Sequence, residues 1–127
     1  MIVLDASVLI AYLDGSDRHH DKATNLLEAL SSEPWGVSSI TLAETLVHPA
    51  RAGRLQEAET ALVGIDLQEL VLGGGAPVRL AEMRAEIGIK MPDCCVLLAA
   101  QDNDAAVASF DAGLLAAGSK LGLKAAG

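Results

Sequence analysis

Apolar residues fall in short blocks along this chain, and the blocks alternate between two spacings. Ile2–Leu4 is an unbroken apolar run, dense enough for a strand covered on both faces. From Ala6 to Leu13 the apolar positions Ala6, Leu9 and Leu13 recur at helical spacing. After a turn at 14–17, Ala23, Leu26, Leu27 and Leu30 form the inner face of a helix predicted over 18–30. Trp35–Ser39 reads as a second strand, followed by a helix over 42–47 that Ser39 or Thr41 caps and Pro49 stops. A fourth helix runs through Ala58 to Val63. Asp66–Leu72 alternates apolar with polar residues, as a strand nearer the sheet edge does. Gly73–Gly75 lacks the Gly-Lys-Ser/Thr of a phosphate loop and is a flexible connection. Pro77 opens a helix to about Ile87. Another helix starts at Met91 and is apolar nearly all round. Asp102-Asn103-Asp104 lacks the glycine and distal Glu of a calcium loop and reads as a turn. Ala105–Ser109 is a fourth, buried strand, Gly113–Ala117 a last helix, and Leu121–Leu123 a closing edge strand. The alternation predicts an α/β protein, a three-layer α/β/α sandwich with a mainly parallel central sheet.

The 127 residues suffice for one domain, 1–127, with one ordinary core. Hydrophobic residues make up 51% but aromatics only 2%, so that core is aliphatic. No apolar run approaches the ~20 residues of a membrane span, and no basic segment precedes the first apolar stretch, so neither a membrane anchor nor a signal peptide is expected. Cys94 and Cys95 are neighbours within an apolar run, which makes them buried thiols and fits a reducing cytoplasm. His19 and His20 stand at the entrance of the second helix, where exposure is expected; adjacent helical histidines do not converge on one ion. The formal charge of −8 and the pI near 4.6 argue against a phosphate-rich partner. That objection weakens if several acids hold metal, because two divalent cations would halve the charge.

Four acids change the picture. In an open parallel sheet, sites form at the carboxyl ends of the strands. Asp5 and Asp111 follow the first and fourth strands directly, while Glu44 and Asp93 lie in or near the first turns of helices that start at the same edge. Each has an ordinary explanation: Asp is a favoured N-cap, and Asp93 suits the positive end of its helix. Ser7, two residues beyond Asp5, either orients that carboxylate or shares the capping. If the four converge, they cannot all stay ionised without a cation. Hard oxygen ligands with neither histidine nor thiolate select Mg²⁺, with Mn²⁺ as a substitute, over zinc. An ion there implies phosphodiester hydrolysis by an activated water, with no covalent nucleophile. His48 shares a helical face with Glu44 but stands before Pro49, as a surface or supporting residue.

The order Leu4-Asp5-Ala6-Ser7, Ile40-Thr41-Leu42-Ala43-Glu44, Met91-Pro92-Asp93 and Ser109-Phe110-Asp111 resembles the PIN-domain ribonucleases, in particular the VapC toxins of toxin–antitoxin pairs. The resemblance covers essentially the whole chain. It implies that Asp5 and Asp93 are the principal metal ligands, that Glu44 and Asp111 complete the pocket, and that Ser7 and Ser109 support it. Ser109 stands where family members often carry Thr, which keeps the hydroxyl. Also implied are cleavage of structured RNA such as tRNA or ribosomal RNA, a homodimer, and a small antitoxin that occupies the groove and through which alone the toxin meets DNA. Two other readings remain: a metal-dependent phosphatase or phosphotransferase, disfavoured because Ser7 replaces the second acid of an Asp-x-Asp pair, and an inactive PIN-like binding module, disfavoured because all four acids are present. Arg18, Arg51, Arg54, Arg84 and Lys90 are candidates to border the groove or simply to solubilise the surface.

Overall fold

A computed structural model describes residues 1–127. The chain runs β1 (Ile2–Leu4), α1 (Ala6–Leu13), α2 (His20–Ala29), β2 (Trp35–Ser38), α3 (Ser39–Arg51), α4 (Leu55–Gly64), β3 (Gln68–Leu70), α5 (Ala76–Ile87), α6 (Met91–Asp102), β4 (Ala106–Ala108) and α7 (Ala112–Lys120). The four strands form one sheet in the order β3-β2-β1-β4, and every pairing is parallel. Val3 sits opposite Gly36 on one side and Val107 on the other.

Alternation along β1 divides the core. Val3 and Val107 point into a cluster closed by α5, α6 and α7, where Leu97, Leu98 and Leu114 are fully buried. Ile2, Leu4, Val37 and Ala108 point the other way, onto Val8 and Leu9 of α1, Leu27 of α2 and Leu62 of α4. This is the expected three-layer sandwich, with an aliphatic core on each face. Cys94 and Cys95 are free and buried as expected, and burial pushes both thiols up. Gly36 marks the closest approach in the sheet, since a Cβ there would lie 2.6 Å from Leu70 Cδ1. No helix is long and apolar enough to cross a membrane.

Three sequence expectations are corrected. The helix after β2 does not stop at Pro49 but continues to Arg51. A proline inside a helix forfeits one backbone hydrogen bond; here α3 packs against α1, α4, α6 and β2, which offsets the loss. Its cap is neither Ser39 nor Thr41 but Ser38, a buried residue whose Oγ accepts the Thr41 N–H at 3.2 Å. The closing strand at Leu121–Leu123 is absent, because α7 extends to Lys120 and Leu121–Gly122 turns back onto it. The edge of β4 is instead covered slightly later, where Val107 N–H donates to Lys124 O and Ala126 N–H to Val107 O, both at 2.8 Å.

Candidate active site

Strands β1 and β4 are adjacent, so their carboxyl ends bring Asp5 and the 109–111 segment together. Asp5 is the N-cap of α1, accepting the Val8 N–H at 3.2 Å, and it is only 6% exposed. The capping explanation is therefore correct, and incomplete. Two serine hydroxyls also donate to the same carboxylate, Ser7 Oγ to Oδ1 at 2.6 Å and Ser109 Oγ to Oδ2 at 2.5 Å. Each hydroxyl in turn accepts a backbone N–H, Ser7 from Phe110 at 3.0 Å and Ser109 from Asp111 at 2.9 Å. A hydroxyl has one proton to give. With the amides fixed as donors, both protons are committed to Asp5, and the β1–α1 and β4–α7 junctions are laced together through it. Of the roughly four lone-pair positions of a carboxylate, three are taken and one on Oδ2 is left.

Burial pushes the Asp5 carboxyl above its ordinary value, opposed by the Ser109, Ser7 and Val8 hydrogen bonds and reinforced by the charge of Asp111. Asp93, half-buried in the first turn of α6, is raised by desolvation first and then by Asp111 and Asp5, while Lys90 pulls the other way. Glu44, on the second turn of α3, has an exposed side chain, yet partial desolvation and the charges of Asp93 and Asp5 raise it as well. Asp111 caps α7, accepting the Gly113 and Leu114 N–H groups at 2.8 and 3.2 Å, and is exposed. The fold thus brings Asp5 and Asp93 within electrostatic reach of each other and of both Glu44 and Asp111, and none of the four forms an ion pair with a cation of the chain.

The side chains do not close into a ready cage: no three Asp, Glu, His or Cys groups stand at ion-holding distance from one another. That arrangement is not an all-protein cage of the calcium or zinc type. It suits an ion that keeps most of its own waters and takes one or two carboxylates, as Mg²⁺ does. The donor set fits such an ion: hard oxygens, an open lone-pair position on Asp5, and three carboxyls raised first by burial and then by the charge of neighbouring acids.

Other sequence-level candidates scatter. His48 is exposed and lines, with Glu44, Ile10, Leu13, Pro49 and Arg54, a cleft of about 440 Å³ between α1, α3 and α4. Arg54 is paired with Glu57 at 2.8 Å, and Arg84 reaches only the Ile89 carbonyl at 3.4 Å. Arg51 ends α3, and Lys90 precedes α6 beside Asp93. The two histidines are half-buried rather than exposed: His20 Nδ1 is 2.8 Å from the Ala11 carbonyl, tying α2 to α1, and the His19 ring lies 5.7 Å from that of Phe110. Sequence reading missed the contact between Phe110 and Lys22, whose Nζ stands 4.7 Å from the ring centroid. The available signal was modest: the only phenylalanine of the chain directly precedes Asp111.

The family model described as PIN domain matches residues 2–120. No curated protein matches the sequence. Among solved structures, a toxin–antitoxin complex from Klebsiella pneumoniae contains a chain 24% identical, with a TM-score of 0.74 and 87% of each chain covered. The Mycobacterium tuberculosis Sarcin-Ricin loop cleaving toxin VapC20 is 20% identical, with a TM-score of 0.76 over 93% of this chain and 95% of that one. FitAcB from Neisseria gonorrhoeae is 18% identical, with a TM-score of 0.74 over 100% of this chain and 97% of that one.

Proposed function

The chain belongs to the PIN-domain family, and from that premise we propose that it is a metal-dependent endoribonuclease acting as the toxin of a toxin–antitoxin pair. The observation that carries the reading is the concentration of Asp5, Glu44, Asp93 and Asp111 at one sheet edge with three carboxyls raised by burial and mutual repulsion. Asp5 and Asp93 hold a divalent cation, Mg²⁺ or Mn²⁺, and Glu44 and Asp111 complete its surroundings. Such an ion supplies a water of lowered pKa and offsets the charge that grows on a phosphate under attack. The hydroxyls of Ser7 and Ser109 hold Asp5 immobile for this task and favour its ionised form against the burial that raises it. The phosphatase alternative lacks its second strand-end acid, since Ser7 stands there as a donor to Asp5.

The likeness to VapC20 and to chains from toxin–antitoxin complexes supports structured RNA as substrate and a small antitoxin as partner. A cationic segment of that antitoxin, led by an arginine whose planar fork pairs bidentately with carboxylates, competes with both metal and RNA. The working form is a homodimer in the cytoplasm, meeting DNA only through the antitoxin. The test is expression of the chain alone, with its cognate antitoxin, and as Asp5→Asn. Growth arrest is expected only for the unaltered chain expressed alone, with RNA ends mapping to discrete positions. Arrest by Asp5→Asn would separate toxicity from cleavage and overturn the reading.

A further inference from the structure

A strongly acidic nuclease meets a difficulty at its own active site: the carboxylates that hold the ion repel the phosphates on either side of the scissile one. Cations next to the site have to offset that repulsion. The chain has nine lysines and arginines, and two of the arginines are consumed by ion pairs, Arg54 with Glu57 and Arg79 with Asp102. One group of unpaired basic residues converges on a residue of the site segment itself. Lys22 lies over the face of Phe110, the His19 ring packs against the same ring at an interplanar angle of 43°, and Arg18 Nε donates to His19 Nε2 at 3.2 Å.

The platform beneath this group is rigid and belongs to the site. The Phe110 N–H donates to Ser7 Oγ, the hydroxyl that also holds Asp5, and Phe110 is followed directly by Asp111. The start of α2 is pinned twice, by the His19 N–H donating to Asp17 Oδ1 at 2.8 Å and by His20 against the Ala11 carbonyl. Packing of Phe110 on the core beneath it accounts for a large apolar residue at this position. It does not account for an ammonium and an imidazole on its ring, with a guanidinium held on that imidazole in turn, on a surface whose net charge is −8. A cation within about 6 Å of an aromatic face gains a modest attraction that restricts where it points.

We propose that Lys22 and His19 on the Phe110 ring, with Arg18 joined to them through His19, form the subsite that takes a backbone phosphate of the RNA beside the scissile bond. The proposal rests on the nuclease reading above and adds which surface of the chain the strand crosses: from the carboxylates over Phe110 to the start of α2. The ammonium of Lys22 and the guanidinium of Arg18 are the phosphate donors, and the Phe110 ring holds the first of them in place.

The experiment compares steady-state cleavage in Mg²⁺, and binding of a labelled RNA stem–loop across a salt series, for the unaltered chain and for Arg18→Gln, Lys22→Gln and Phe110→Leu. Lys120→Gln, at the far end of α7, is the charge-matched control. Arg18→Gln and Lys22→Gln are each expected to raise KM about tenfold, the loss of one charge-assisted contact, with kcat little changed. Each should also flatten the dependence of log affinity on log salt by about one. Phe110→Leu should raise KM less, and Lys120→Gln should change neither quantity. An unaltered KM and salt slope in both Arg18→Gln and Lys22→Gln would overturn the subsite while the nuclease reading stands, as would a fall in kcat with KM unchanged. Failure of the unaltered chain to bind or cleave the RNA would overturn the nuclease reading and the subsite with it.

Discussion

At the scale of single residues, Asp5 and Asp111 each do two things at once. Asp5 both starts α1 and collects the hydroxyls of Ser7 and Ser109; Asp111 both starts α7 and adds its charge to Asp5 and Asp93. An amide caps a helix about as well as a carboxylate, whereas alanine does not. The two roles of Asp111 therefore separate in a pair of variants. Asp111→Asn is expected to lose most turnover at an unchanged Tm, and Asp111→Ala to lose the same turnover together with about 1 kcal/mol of stability. Denaturant melts beside cleavage rates measure both quantities. Full turnover in Asp111→Asn would reduce the residue to a cap. The four acids were legible in the sequence because each sits at a strand end or within two turns of a helix start, where chain order brings it to one edge. The serine lacing was legible only in outline. Ser109 and Asp5 are 104 positions apart, and nothing local tells which amide each hydroxyl accepts.

At the scale of elements, the strands and the two-sided core could be read from spacing, since a buried parallel strand and an amphipathic helix leave different periods. The departures lie at element ends and in the tail, where local chemistry offers several near-equal choices. Ser38, Ser39 and Thr41 are all acceptable caps, and the decision falls to where β2 runs out, which depends on its pairing with β1 and β3. Pro49 is a helix breaker on local grounds, overridden by the packing of α3 against three other helices. In the tail, Leu121 and Leu123 supply apolar side chains to the core cluster without strand pairing. Their apolar character was visible in the sequence; the backbone state that brings them to the core was not. The grouping of His19 and Lys22 on Phe110, with Arg18 on His19, was hidden for a related reason, because it joins the start of α2 to the segment after β4, far apart in sequence.

At the scale of the whole molecule, a charge of −8 and a cluster of acids at one edge set how stability responds to pH and metal. The carboxyls of Asp5, Glu44 and Asp93 are raised in the folded chain above their ordinary values. Between the ordinary and the raised values the folded state binds more protons than the unfolded state, so stability falls as pH rises through that window. In chelator, the Tm is expected to decline from the upper carboxylate range towards neutrality, and Mg²⁺ should raise the neutral Tm and flatten the decline. Thermal melts over a pH series check this; a Tm that Mg²⁺ leaves unmoved at neutral pH would mean that the acids hold no ion. The same acids, with the ion they are proposed to hold, carry the proposed chemistry, and Asp5 lies at their centre. Asp5→Asn preserves a carbonyl oxygen for Ser7 and Val8 while removing the charge, so the fold should survive. The most direct measurement is therefore cleavage of a labelled structured RNA by the purified chain and by folded Asp5→Asn, each in Mg²⁺ and in excess chelator. Cleavage by the unaltered chain in Mg²⁺ alone is the expected result; undiminished cleavage by Asp5→Asn in Mg²⁺, or by the unaltered chain in chelator, would contradict it.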